Sequence, residues 1–596
     1  MSPFLLRLLT AGCLLAMIFL GGLTTSLNSA SAEAEKPNIV IILIDDAALM
    51  DLGSYGGEAE TPHIDALAAR GALFTQYRTS PLCSPTRAML LTGLDNHLTG
   101  MATIPEVLPE QHKGQPGYIM TLAPGIQTLA DHLRQIGYRT LMSGKWHLGE
   151  KPSEMPDSHG FDQSYALAAS GADNWDDKSY MPYYLDAPWY ENGKAVKLPE
   201  DFYSSEFIVD KMIEYLEGSP ADKPFLAYLP FQAIHIPVQA PPEFIAKYKG
   251  RYDAGWHALR AERNAKAIEY GLVEPDVQLA PLTETARDWD TLTAEEQAVY
   301  AARMEVNAAM LDAMDHHIGR FIDHLQSIGA YENTVFIVTS DNGPEFNRGD
   351  HDPRLSFWMR YNGYHTDLDG LGQPGSWGFI GPEWANAAAA PGALFKFYAT
   401  EGGVRAPLIV AGPGIVPARI DTPAMVTDIA PTLLDWVAPE AAQPLRSNMT
   451  GRTLMPVLRS EVDSVYAPED IRAIEVSGNS ALYLGEYKIT RSMPPVGDGE
   501  WRLFNLRADP GELTDLSDTL PEMKTQLLAA YADYAAEMGV LEMPAGYDSL
   551  QQILDNTLAR LMPHYLKLLL LYLVLPLTLL IGIFVFWRRR KRADSA

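Results

Sequence analysis

The stretch SPLCSPTRAMLLTG carries Cys83 at the start of a short predicted helix, with Arg87 four residues on. The chain has two cysteines, and the other, Cys13, lies in an apolar leader that reads as removable. Without that leader no internal disulfide can form. An odd thiol in an exported protein is a candidate reactive group; buried among apolar neighbours it is an inert small hydrophobe. The residue alone leaves both readings open.

Four more polar clusters each follow an apolar strand-like run: Asp45 and Asp46 after NIVIILI, Lys145 and His147 in GKWHLG, His235 in PFLAYLPFQAIHIP, and Asp341 with Asn342 in VFIVTSDNG. In open α/β sheets, ligands bind beyond the carboxyl ends of the strands. Four endings from distant parts of the chain can therefore converge on one site, although each alone reads more readily as a solvated loop. Asp45, Asp46, Asp341 and Asn342 offer only hard oxygen donors, a set suited to Ca²⁺ or Mg²⁺ and not to a soft metal. Ca²⁺ is preferred because it tolerates irregular oxygen sets. No HExxH spacing joins His147 to His235, which makes zinc the weaker reading.

The elements that must position these groups alternate. PNIVIILIDD reads as a strand, and TPHIDALAARGA as a helix with Thr61 as N-cap and Pro62 at its first position. APGIQTLADHLRQIGYRTLMSGKWHLG reads as helix then strand. A long helix from Met304 leads through a turn into VFIVTSDNG, and APLIVAGPG and TDIAPTLLDWV continue the pattern. Such alternation predicts an α/β domain with a largely parallel sheet between helices, over residues 33–444. The texture then changes: RAIEVSGNSALYLGEYKITR and EWRLFNLRADPGELTDLSD read as strands, PEMKTQLLAAYADYAAEMG as a closing helix. These predict a smaller α+β domain over 445–540, followed by a linker over 541–563.

Both ends of the sequence address a membrane. Arg7, an apolar run and the small-residue site Ala30-Ser31-Ala32 predict a signal peptide over residues 1–32; an uncleaved anchor is the alternative. Leu568 to Trp587 is an uncharged run of spanning length, followed by Arg588, Arg589, Arg590, Lys591 and Arg592. Because basic residues stay on the cytoplasmic side, a transmembrane helix is predicted over 564–588 with a cytoplasmic tail over 589–596. The body is then exported and held by a single pass in the cell (inner) membrane, on its periplasmic or extracytoplasmic side. A formal net charge of −29 repels nucleic acid and anionic surfaces. Nucleic-acid binding is thereby excluded, and an anionic substrate needs a local cationic site.

CSPTR matches the C-x-P-x-R signature of the formylglycine-dependent sulfatase family, and LLTG continues it. NIVIILIDD, GKWHLG, PFLAYLPFQAIHIP, TSDNG and KFYATEGGVRAP resemble that family's other blocks, in its order, from about Pro37 to Gly539. SWGFIGPEWANAAAAPGALFKFYATEGGVRAP resembles the bacterial arylsulfatase branch. DDAALMDLG departs from the pattern by lacking the glycine and tyrosine often found after the acid pair, and Ile234 stands where proline is frequent. Both departures are expected at the pocket rim.

The resemblance implies an alkaline-phosphatase-like fold and hydrolysis of sulfate esters, aryl sulfates first, to alcohol or phenol and inorganic sulfate. It implies that a separate formylglycine-generating enzyme oxidises Cys83 to formylglycine (3-oxoalanine). One hydroxyl of the hydrated aldehyde attacks sulfur and the other lets sulfate leave. It implies Ca²⁺ held by Asp45, Asp46, Asp341, Asn342 and the modified residue 83. Arg87 would fix the hydrate, and Lys145, Lys396 and His235 would bind the sulfate group. Asp341 would accept the attacking hydroxyl's proton, His147 would serve the elimination, and His235 with Lys396 would protonate the leaving oxygen. Lys396, five residues before the EGG of this block, enters only through the resemblance. A phosphate or phosphonate monoester hydrolase, or a receptor for sulfated ligands if Cys83 stays a thiol, are the alternative readings.

Overall fold

The computed structural model describes residues 36–218, 223–283, 286–349 and 352–593; the expected signal peptide over 1–32 lies outside them. Ten strands form one mixed sheet: β1 (Asn38–Ile44), β2 (Ala72–Phe74), β4 (Arg139–Lys145), β5 (Gln163–Leu167), β6 (Trp189–Glu191), β7 (Lys194–Val196), β8 (Phe225–Pro230), β9 (Thr334–Ser340), β10 (Leu408–Ala411) and β11 (Ala418–Ile420). Two short strands, β3 (Tyr77–Arg78) and β12 (Ala424–Met425), pair separately. The order across the large sheet is β11-β2-β10-β9-β1-β8-β4-β5-β6-β7. Its centre, β9-β1-β8-β4-β5, is parallel throughout, whereas β10 runs antiparallel to β9.

Strand periodicity explains why the central runs are apolar at every position. In β1, Ile39, Ile41 and Leu43 enter one buried cluster while Val40, Ile42 and Ile44 enter another on the opposite face. Both faces are covered, as a parallel sheet requires. The helices that matter for the site are α1 (Pro62–Ala69), α2 (Cys83–Thr92) and α3 (Ala294–Ser327).

Two local expectations need correction. Thr61 does not cap α1 with its side chain. Its hydroxyl accepts from Gly53 N–H (2.9 Å) and donates to Asp65 (3.2 Å), and the carboxylate of Asp315 takes the N–H groups of His63 and Ile64 at 3.0 and 2.8 Å. A tertiary carboxylate thus does the local cap's work. Helix α3 begins at Ala294, well before Met304, because Thr293 and Glu296 form a capping box.

The C-terminal sheet is antiparallel, in the order β13 (Ile471–Val476), β14 (Asn479–Leu484), β15 (Tyr487–Arg491), β16 (Trp501–Asn505), and helix α4 (Pro521–Met538) packs on it. Buried charges tie it to the rest of the fold. Glu401 accepts from Arg78 (2.8 Å) and from Lys488 of β15 (3.1 Å), and Lys488 also meets Glu512 (2.8 Å). His97 lies between Asp95 (2.9 Å) and Glu475 of β13 (2.7 Å). Within residues 541–563, expected to be a linker, Tyr547 donates to the Val107 carbonyl at 3.0 Å, and Asn556 donates to the carbonyls of Glu106 and Leu108, both at 2.9 Å. Asn556 belongs to helix α5 (Ser549–Leu569), which continues through a wide turn over Leu570–Val574 into α6 (Leu575–Ala593). That turn precedes Pro576, whose missing N–H breaks the regular ladder. This continuous helix is long and apolar enough to cross a membrane, and its apolar stretch is exposed.

Candidate active site

The four polar clusters converge because their strands are neighbours. β9, β1, β8 and β4 stand side by side, and their carboxyl ends lead to Asp341, Asp45, His235 and Lys145. Backbone bonds lock the loops together: Asp45 N–H donates to the Ala233 carbonyl (2.8 Å), and Ile234 N–H donates to the Asp45 carbonyl (2.7 Å). Ile234 is buried, and proline there would lack this donor. Ala47 to Leu52, the other departure, are buried as well.

Asp45, Asp46, Cys83 and Asp341 bring one ligand atom each within 4.8 Å of one another, all buried. Cys83 opens α2, with its Sγ 3.5 Å from Asp45 Oδ1 and 3.9 Å from Asp46 Oδ1. Asp46 has φ 68°, the left-handed region, and its N–H donates to Asp341 Oδ1 at 3.1 Å. Asn342 Nδ2 donates to Asp46 Oδ1 (2.6 Å) and to the Gly343 carbonyl (2.8 Å), which fixes the amide's orientation. Its buried Oδ1 has no hydrogen-bond partner among the described residues. Three carboxylates and an orphaned amide oxygen fit a hard divalent cation. Burial, with Asp341 next, pushes Asp45 up to about 6 against the pull of Lys145 and Arg87. Burial likewise pushes Asp46 up to about 8. Without a cation, burial and mutual repulsion disfavour full ionisation of the cluster.

Cations wall this acidic cluster. Arg87 donates from Nε and Nη2 to Asp341 Oδ2 (3.0 and 2.7 Å) and from Nη1 to the Lys145 carbonyl (2.7 Å). Burial opposes ionisation of Asp341, but Arg87, Lys145 and Lys396 together hold its pKa below the usual value. Lys145 Nζ lies 2.5 Å from Asp45 Oδ2. Lys396 Nζ bridges Asp46 (2.8 Å) and Glu345 (2.9 Å). Although burial disfavours its charge, Asp46 and the other anionic neighbours keep Lys396 firmly cationic. His147, at φ 54°, is buried with neither ring nitrogen bonded among the described residues. Burial, then Lys145 and Arg87, hold it neutral. His235 Nδ1 meets the Ile236 carbonyl at 2.6 Å and must be the donor there, which leaves Nε2 facing Asp46 (3.7 Å) and Glu345 (3.9 Å). Burial and Lys396 depress its pKa well below the ordinary range. Burial and Asp341 raise the Cys83 thiol well above its usual value, so the unmodified group is a protonated thiol and a poor nucleophile.

All the expected site residues therefore meet in one place. Glu345, not foreseen, joins them; the signal was an acid three residues after Asn342 in SDNGPE. Its Oε1 accepts from the backbone and side-chain nitrogens of Asn347 (2.8 and 2.7 Å), leaving Oε2 for Lys396.

Residues 37–438 match the family model described as sulfatase. The chain belongs to the sulfatase family. Its reaction is the hydrolysis of sulfate esters. This sulfatase is 36% identical over 536 residues to an uncharacterized sulfatase of Schizosaccharomyces pombe, covering 86% of this chain and 96% of that one. It is 34% identical over 432 residues to an arylsulfatase of Klebsiella aerogenes, covering 71% and 89%. Among solved structures, a sulfatase from a Pseudoalteromonas species superposes with a TM-score of 0.57 at 22% identity, covering 85% and 92%, a likeness of fold.

Proposed function

We propose that this sulfatase hydrolyses aryl sulfates on the outer face of a membrane, using formylglycine made from Cys83 and a bound Ca²⁺. The observation that carries the reading is Cys83 at the start of α2, within 4.8 Å of the three carboxylates Asp45, Asp46 and Asp341. The aryl preference is supported by likeness to the Klebsiella arylsulfatase. Asp45, Asp46, Asp341, Asn342 and residue 83 would hold Ca²⁺, which supplies Lewis-acid polarisation of sulfate oxygens. Formylglycine supplies a geminal diol, one hydroxyl to attack sulfur and one to let sulfate go.

The chain's own residues do the rest. Lys145 and Lys396 neutralise the sulfate oxygens in a site closed to water, where such charges act strongly. Arg87 holds Asp341 through a fork of two N–H groups and aims its carboxylate at residue 83, where it accepts the attacking hydroxyl's proton. His147, neutral and unbonded, is the base available for the elimination. His235 can donate from Nε2 only as an imidazolium, because Nδ1 is committed to Ile236. Lys396 is therefore the first proton source for the leaving oxygen and His235 the second.

Residues 564–588 span the membrane, the basic residues that follow face the cytoplasm, and residues 1–32 are the export signal. The test compares turnover of nitrophenyl sulfate and nitrophenyl phosphate by protein made in its own host. The sulfate ester is expected to be hydrolysed far faster; a preference for phosphate would overturn the assignment.

A further inference from the structure

We propose that this sulfatase draws its substrate from the bilayer that holds it, taking a sulfate ester on the polar headgroup of an amphiphile. The inference rests on the sulfatase and anchor readings above. It comes from Arg560, in the helix that leads into the spanning segment. Its two terminal nitrogens donate to both oxygens of Glu150 at 3.0 and 2.8 Å. Glu150 lies three residues after His147, on the same loop. The same guanidinium sits 4.6 Å from the Tyr183 ring and 5.2 Å from the Tyr184 ring.

Tyr183 and Tyr184 end the segment that covers His235. At its other end, a Cβ on Gly171 would fall 2.9 Å from His235 Nδ1, and the half-buried Tyr180 ring stands edge-on to His235 at 5.0 Å. Tyr180 meets Ser170 at 3.0 Å and Tyr184 donates to Glu106 at 2.7 Å, so the segment is braced along its length. Glu106 and its neighbours in turn give their carbonyls to Asn556. One face of α5 therefore grips the loop of His147 and braces the segment that packs on His235.

Leu568 lies eight positions beyond Arg560, about 12 Å along the helix. Over that interval Met562, Tyr565 and Leu566 are exposed, at 53, 53 and 50%. The grip holds the Glu150 end of the His147 loop about 12 Å along the helix from the start of the apolar run, which limits its freedom to tumble. The body's charge works against any other way of meeting such a substrate, since a chain of net charge −29 is repelled by a surface bearing sulfate groups. Tethering replaces that unfavourable encounter with a high local concentration.

The experiment uses the full chain in phosphatidylcholine vesicles. The probe is a nitrophenyl sulfate joined by a short polar spacer to a long alkyl chain, placed either in the enzyme's own vesicles or in separate ones. A second protein carries a flexible Gly-Ser insertion between the exposed Pro563 and His564, which keeps the anchor but frees the body. Hydrolysis is expected to be about tenfold faster or more when probe and enzyme share a vesicle. The insertion should lower that rate several-fold and leave soluble nitrophenyl sulfate turnover unchanged. Equal rates in shared and separate vesicles, or an insertion without effect, overturn the proposal. Loss of the protein from vesicles in an alkaline wash, or no turnover of soluble nitrophenyl sulfate, overturns it together with the anchor or the sulfatase reading respectively.

Discussion

At the residue scale, the environment of Cys83 argues for chemistry that the thiol itself does not perform. The thiol is buried, its pKa is raised well above the usual value, and it faces carboxylates. Cys83→Ser keeps a hydroxyl in the same place beside the same lysines but removes any second hydroxyl on that carbon. It is expected to release about one product per enzyme and then stall with a serine sulfate ester, since only the second step is blocked. Intact mass after exposure to an aryl sulfate checks this, once residue 83 is verified as unmodified serine; sustained turnover would count against the mechanism. The acidic cluster makes a separate prediction. Burial raises the pKa of Asp46 in the absence of a cation, against the pull of Lys396, and a metal ligand must be ionised. Ca²⁺ binding should therefore release protons, and affinity should rise with pH until Asp46 is ionised and then level off. Calorimetry in buffers of different ionisation enthalpy measures this directly. Asp341→Ala should lose both calcium, by elemental analysis, and activity.

At the element scale, His97 joins the loop after α2 to β13 of the C-terminal sheet. Burial disfavours its charge, but hydrogen bonds to Asp95 and Glu475 raise its pKa from 6.5 to about 10. Its contribution is fully present below 6.5 and is lost as pH rises through about 10. His97→Gln is expected to lose roughly 3–5 kcal/mol at neutral pH, with mutant and parent converging near the upper end of that range. Thermal unfolding of both proteins followed across this range checks the window. The elements themselves were largely legible. Runs such as NIVIILI and VFIVTS are too short and too uniformly apolar for anything but strands buried on both faces, and their polar ends named the site. What stayed hidden depended on distant partners. Asp315 replaces Thr61 as the cap of α1 across the fold, and Glu345 finds Lys396 through a loop without periodicity. No local pattern encodes either contact.

At the scale of the whole molecule, the grip of α5 on the catalytic loops was equally invisible, because Asn556 and Arg560 read as ordinary surface residues of a polar helix. It sets where the chain can be cut. Truncation before His564 removes the apolar span but keeps Asn556 and Arg560, and should yield soluble protein with near-native turnover of soluble aryl sulfates. Truncation before Asp548 removes the grip and should lower that turnover. Sedimentation and kcat on nitrophenyl sulfate report both, and soluble, folded protein without activity from the chain truncated before His564 would contradict the separation of anchor from site. The most direct test of the account concerns the fraction of molecules that are competent. Protein made in its own host is digested, and the peptide bearing residue 83 is weighed alongside the active-site concentration. The account predicts the mass of an aldehyde at residue 83, in a fraction equal to the active fraction; full activity from protein whose residue 83 is entirely thiol would contradict it.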